Sequence, residues 1–298
     1  IVLDSHKTRA YVELADLYLL GMHQPKAAIE SYRKAIALEP QNARLHSMLG
    51  KALAQTGDLA QAGGHLREAV RLEPKNPSFL LELGDFQARR REFDAALDSY
   101  AKALALEPMF LPARMARGDV FLSRGELDKS LQEYEAAAKI SPKLSVAQLK
   151  IGIVQQRRER STEAEQAYRT AISLNSRQAA AYNNLAWLSA TKKSHLDEAL
   201  QWAKKAVELS PRVATFQDTL GWVHWARGEG EEAEQALKTA SSLDPHEAQI
   251  LYHLGVVYAG RKQSAAAKQA LEKALALNKD FEGADDARVR LAELNRPL

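Results

Sequence analysis

One spacing governs this chain. Pro40, Pro74, Pro108 and Pro142 stand 34 residues apart, and after one extra residue Pro211 and Pro245 resume the same step. Ser176 and Lys279 fill the remaining rungs. Other positions keep the same register. Ten residues after each rung from Pro40 to Pro245 lies a small residue: Gly50, Gly84, Gly118, Gly152, Ala186, Gly221 and Gly255. Five residues before each is alanine without exception, from Ala35 and Ala69 to Ala240 and Ala274. Twelve before, alanine recurs again, with Ser130 the single departure. A fixed period of this length marks a repeat architecture. Each unit is one supersecondary element that cannot bury its own apolar face, so neighbours must stack.

Within a unit the apolar residues fall at helical spacing in two blocks, as in Leu83 and Phe86 followed by Phe93, Leu97, Tyr100 and Leu104. Two helices per repeat follow. Glycine inside a helix costs about 1 kcal/mol against alanine, so its recurrence implies close backbone approach. Gly57, Gly125 and Gly228 mark turns between the paired helices. The rung proline ends the second helix, because its ring and missing N–H cannot continue one.

This series of positions resembles the tetratricopeptide repeat family over nearly the whole chain. The resemblance implies an all-α, right-handed superhelical solenoid. Its eight helix–turn–helix repeats run approximately over 8–42, 43–76, 77–110, 111–144, 145–178, 179–213, 214–247 and 248–281. Residues 1–7 read as the remnant of a preceding repeat, with Ser5 on the rung position. Residues 282–298 read as a capping helix and tail, the helix covering roughly 282–295 with Leu291 and Leu294 facing inward.

Chemistry that needs a built site is missing from the pattern. There is no cysteine, hence no disulfide, thiolate metal site or cysteine nucleophile. The eight histidines show no metal-ligand spacing, although His224 and His253 fall on neighbouring first helices. No glycine-rich phosphate loop or nucleophile elbow appears, and acidic pairs such as Glu231–Glu232 sit at helix starts, where they complement the dipole. The reading is a protein that is not an enzyme, with no cofactor and no metal. With 41 basic against 38 acidic residues, the charge is too balanced to point to nucleic acid. No apolar run is long enough to span a membrane.

In the resembled family the first helices line a concave groove, and their second, fifth, ninth, twelfth and thirteenth positions point into it. Carried onto this sequence, those positions give Leu149, Ile153, Asn183 and Trp187, then Asp218, Trp222 and Trp225, then Tyr252 and Val256. Arg89 and Arg157 take the thirteenth position and edge the groove. The expected groove is polar and mixed in charge at first and turns apolar and aromatic from Leu149 onward. Trp187 and Trp222 share the ninth position of successive repeats. Two readings of Trp222 and Trp225 stand side by side: exposed anchors for a partner, or fillers covered by the next helix. Trp202 falls on a second helix and reads as packing. The fifth position holds no lysine, so the carboxylate clamp of chaperone-binding relatives is absent. The sixth holds asparagine only at Asn184, which is not the asparagine ladder of glycosyltransferase repeats.

The implied function is a scaffold that binds a protein or peptide segment in the groove. Self-association is a second expectation, and a regulatory or substrate-recruiting arm of an enzyme whose catalytic domain lies outside this stretch of sequence is the alternative. The stretches "AYNNLAWLSA", "FQDTLGWVHWARG", "ILYHLGVVYA" and "FEGADDARVRLAEL", in this order, resemble the end of bacterial tetratricopeptide proteins encoded with exosortase and exopolysaccharide-export systems. That narrower resemblance implies a periplasmic or outer-membrane-associated setting.

Overall fold

A computed structural model describes residues 2–295. Ile1 of the expected N-terminal remnant, and 296–298 of the expected tail, lie outside the described residues. Among the described residues there are seventeen α-helices and no strand. They form two compact units, one ending at Pro142 and one starting at Lys143. The first unit holds four hairpins: α1 (Val2–Asp16) with α2 (Pro25–Leu38), α3 (Ala43–Gln55) with α4 (Leu59–Leu72), α5 (Pro77–Arg89) with α6 (Phe93–Leu106), and α7 (Leu111–Ser123) with α8 (Leu127–Ile140). The second holds four more: α9 (Ser145–Arg157) with α10 (Ser161–Leu174), α11 (Ala179–Thr191) with α12 (Leu196–Leu209), α13 (Ala214–Ala226) with α14 (Gly230–Leu243), and α15 (Ala248–Gly260) with α16 (Ser264–Leu277). The closing helix α17 spans Ala284–Leu294. The fold is the all-α helical-repeat solenoid that the spacing implies.

The recurrent small residue has a direct cause. A Cβ added at Gly84, Gly118 or Gly152 would stand 2.5, 2.6 or 2.4 Å from the ring of Tyr100, Tyr134 or Tyr168. At Gly50, Gly221 and Gly255 it would stand 2.8, 2.6 and 2.7 Å from Leu66, Leu237 and Leu271. All six of these side chains are buried. In these six hairpins the second helix therefore seats one large residue in a hollow on its own first helix, at interior packing density. The phenols also find acceptors: Tyr32 donates to Asp16 at 2.6 Å, Tyr100 to Asp85 at 2.8 Å, Tyr134 to Asp119 at 2.7 Å and Tyr168 to Gln156 at 2.7 Å.

The turn inside each hairpin carries one left-handed residue: His23, Gly57, Arg91, Gly125, Glu159, Lys193, Gly228 and Lys262. Glycine takes this conformation freely. The others do so against a steric cost of roughly 1–2 kcal/mol, offset by the packing of the helices they join. Two repeats hold an extra residue and accommodate it differently. In the sixth, His195 adds a second left-handed residue just before α12. In the first, α1 runs into a π-helical turn over Leu17–Gly21, which absorbs the surplus inside the helix. The chain is helical without interruption from Val2 through Ser5, where the ladder predicted a boundary. Serine keeps its N–H and has no ring to clash with the preceding turn, so it does not by itself force a stop.

The second hairpin contains a histidine pair. His46 Nε2 lies 3.0 Å from the Pro40 carbonyl, which only accepts, so this nitrogen carries hydrogen. His46 Nδ1 then accepts from His65 Nδ1 at 3.0 Å. Burial, followed by the charges of His46 and Arg33, holds His65 below the ordinary imidazole value. The unfolded chain therefore binds the proton first. Stability is full above the unfolded value of about 6.5 and falls as the pH drops through it toward the lower folded-state value. Melting temperatures at neutral and mildly acid pH check this. The drop on acidification should be smaller in His65→Ser, which copies Ser31 and Ser99 at the matching position.

Candidate functional site

The second unit carries a row of aromatic rings across successive first helices. Trp187 of α11 and Trp222 of α13 stack with centroids 6.2 Å apart and planes at 29°. His253 of α15 lies 4.3 Å from Trp222 and 5.4 Å from Trp187. Tyr252 is 5.5 Å from His253, and Phe281 is 5.5 Å from Tyr252. The two indoles are half-buried, whereas His253 is 1% exposed. His253 is a fixed plate. Its Nδ1 lies 2.8 and 3.0 Å from the two carboxylate oxygens of buried Asp218, so it donates there. Its Nε2 meets the Gln249 amide nitrogen at 2.9 Å. With both nitrogens engaged the ring cannot turn, and Trp222 lies against a surface of set orientation.

The sequence-predicted residues divide in this frame. Trp187 and Trp222 meet as the shared ninth position requires. Trp225 lies one turn further along α13, at its C-terminal end, and takes no part in the row. It is covered by the next repeat: a Cβ at Gly260 would stand 2.2 Å from its ring, and it packs with Leu237, Leu254 and Val257. Leu149 and Val256 are buried. Half-buried Ile153 packs in the cluster of Leu149, Leu185 and Leu188. Asp218 serves His253. Tyr252 is engaged by the closing helix: its hydroxyl donates to Asp286 at 2.9 Å and its ring lies over Gly283, where a Cβ would come within 2.6 Å. Burial and the Asp286 charge push its phenol up to about 12. Leu291 and Leu294 are half-buried on α17, while Ala284 and Ala287 are its buried contacts. Asn183 is half-buried, its amide donating to Asn184 at 3.3 Å and its carbonyl oxygen without a partner. Arg89 and Arg157 are exposed in the last turns of α5 and α9, in different units.

Sequence reasoning missed His253 as the base of the row. It paired His253 with His224, which instead bonds Glu229 at 2.6 Å in its own turn. Asp218 and His253 occupy adjacent positions of successive repeats, a signal visible only once the helices are placed side by side. Trp202 sits under the Arg169 guanidinium at 4.7 Å, and packs with Ala199, Ala203 and Leu200. The first unit has another character at the ninth position: Asp16, Lys51, Asp85 and Asp119, against Ile153, Trp187, Trp222 and Val256 in the second. Among the described residues no group of three or more His, Cys, Asp or Glu is placed to hold a metal, and no helix is long and apolar enough to cross a membrane.

The model of the tetratricopeptide repeat family matches residues 14–77, 48–108, 81–145, 149–214 and 219–287. Among solved structures, the chain is similar to one from the APC/C hetero-tetramer Cut9–Hcn1, with a TM-score of 0.71 and 19% identity over 91% of this chain and 53% of that one. It is also similar to a tetratricopeptide repeat protein from Parabacteroides merdae, with a TM-score of 0.67 and 19% identity over 86% and 100%. Yeast Tom70 gives a TM-score of 0.60 and 18% identity over 90% and 60%. At these identities the likeness is one of fold. The chain spans about half the length of the first of these relatives. No curated protein matches by sequence.

Proposed function

The chain belongs to the tetratricopeptide repeat family, and from that membership we propose a non-catalytic scaffold whose second unit binds a protein segment at Trp187 and Trp222. The observation that carries this reading is the stacked, half-buried indole pair on two successive first helices. Indoles that stay partly open in a soluble fold are favoured anchors for partners, because covering them removes a large apolar area from water. His253 and Asp218 hold the pair in one orientation, so little ordering remains to be done when a segment lands.

Peptides selected by display on the full chain provide the test. Trp187→Ala and Trp222→Ala should each weaken a selected peptide by about 2 kcal/mol or more, roughly thirtyfold, with helicity by circular dichroism unchanged. Equal affinity in wild type and both variants would assign the indoles to packing alone. Trp225→Ala is the contrast: its effect should be on melting, not on binding.

The narrower likeness of the last three repeats to export-system proteins favours an envelope setting for this scaffold. Fractionation of the source cells checks it, and recovery with the soluble cytosolic proteins would remove it. A catalytic domain encoded in the same reading frame would favour the regulatory-arm alternative.

A further inference from the structure

The histidine pair of the second hairpin is something that repeat packing does not call for. His46 of α3 and His65 of α4 bring their Nδ1 atoms within 3.0 Å of each other. Later hairpins fill the matching positions with Leu80 and Ser99, Gln148 and Ala167, or Leu251 and Ala270, and no other repeat has histidine at either. The two rings are restrained differently. His46 is 8% exposed, and its Nε2 donates to the Pro40 carbonyl at 3.0 Å. That bond leaves a lone pair on Nδ1. A far nitrogen held by a carbonyl is the usual setting of a metal-ligating histidine. His65 is half-buried. Moving its hydrogen from Nδ1 to Nε2, the other neutral tautomer, presents a second lone pair at the same place. The spacing suits a shared ion. Two nitrogens each about 2.0–2.1 Å from one ion stand about 2.9 Å apart at a right angle and about 3.3 Å apart at the tetrahedral angle. The charge of Glu68, one turn along α4 from His65, acts on both rings and favours a cation. Arg33 opposes it at His65, but that guanidinium is paired with Glu30 at 2.9 Å and donates to Gln61 at 3.0 Å.

We propose that His46 and His65 together bind one divalent transition-metal ion of the zinc class. Imidazole nitrogens suit zinc, copper and nickel, whereas magnesium and calcium call for oxygen. A zinc site that holds a fold closed uses four protein ligands. Two imidazoles leave the other positions to water, so this ion exchanges with solvent. It clips α3 to α4 without being required for folding. Both imidazoles stay neutral, since His65 gives up the Nδ1 hydrogen to water and takes one up at Nε2. The ligands lie 19 residues apart on separate helices, a spacing that matches no metal motif in sequence. The inference uses first-unit residues alone and goes beyond the scaffold reading.

Zinc chloride titrated into the chelator-treated full chain at neutral pH provides the test. Calorimetry should give one ion per chain, and zinc should raise the melting temperature. In nuclear magnetic resonance spectra of the isotope-labelled chain, the Nδ1 signals of His46 and His65 should shift together. His46→Gln and His65→Ser should each lower the affinity at least tenfold. Glutamine can still donate to the Pro40 carbonyl, and serine stands at the same position in the first and third hairpins. Metal-free melting curves check that both variants fold. A chain in which the exposed His6, His23, His195 and His246 are all changed to asparagine should bind zinc as the wild type does. Asparagine tolerates the left-handed backbone of His23 and His195. Five results would each overturn the proposal: no zinc bound, binding that survives either single substitution, binding lost in the asparagine variant, Nδ1 signals of the pair that stay in place, or magnesium chloride competing at equal concentration. None of these results bears on Trp187 and Trp222, so the two readings fail separately.

Discussion

Tyr134→Ala should loosen the fourth hairpin by about 3–5 kcal/mol, the range for truncating a large buried ring. Tyr134 is 0% exposed and fills the hollow at Gly118, where a Cβ would come within 2.6 Å of it. Its hydroxyl bonds Asp119 at 2.7 Å, and Ser130 donates to the Gly118 carbonyl at 2.9 Å in the same contact. Alanine leaves a void that two rigid helices cannot close. Tyr134→Phe keeps the ring and should cost only about 0.5–1.5 kcal/mol for the lost hydrogen bond. In a repeat array each element leans on its neighbours alone, so the loss should be local. Native-state hydrogen exchange reads it as faster exchange in α7 and α8 with little change in α1 and α2. Wild-type protection in α7 and α8 of the alanine variant would mean that the ring does not hold the hairpin.

Glu133→Ala should cost a similar ~3–5 kcal/mol, for an electrostatic reason. Glu133 is buried between α7 and α8, with Arg117 at 2.5 Å and Arg114 at 3.4 Å. The Nε atoms of both arginines are buried without a partner. Removing the carboxylate leaves two guanidiniums with no counter-charge in a poorly hydrated place. The repeat itself indicates the remedy. Position 117 matches Leu49, Leu83, Leu185 and Leu254, and position 133 matches Ala167, Ala236 and Ala270. Arg117→Leu combined with Glu133→Ala restores the apolar pairing and should recover most of the loss, a coupling that a double-mutant cycle measures. If the double variant melts no higher than Glu133→Ala, the ion pair is not the source of the effect.

The period exposed what every repeat must do. Backbones approach at the small residues, so Gly84, Gly118 and Gly152 were legible as contacts before any coordinate. What differs from repeat to repeat left little trace. Trp225 looked like a partner of Trp222 because both sit on one helix, and Gly260, its receptor, belongs to no recurrent small position. Three of the eight inner turns showed as glycines, while Arg91, Glu159, Lys193, His23 and Lys262 carry no turn signature yet take the same backbone shape. The surplus residue of the first repeat hides in a π turn, which has no marker residue. The change from carboxylates to indoles along the ninth position was readable, and the indole pairing followed from it. The histidine plate beneath was not, since a hydrogen bond from His253 to Asp218 joins side chains 35 positions apart.

The seating of Tyr134 over Gly118, or of Leu237 over Gly221, takes place within a single hairpin. A genetic copy of one 34-residue stretch therefore arrives with both halves of its own joint and disturbs no older one. Such an array grows by duplication without a period of poor fit. The proposed recognition pair obeys the opposite rule. A copy inserted after the sixth repeat would leave every joint sound and still part Trp187 from Trp222. Length is thus free to drift in this architecture, whereas any binding at the proposed indole pair ties the sixth repeat to the seventh.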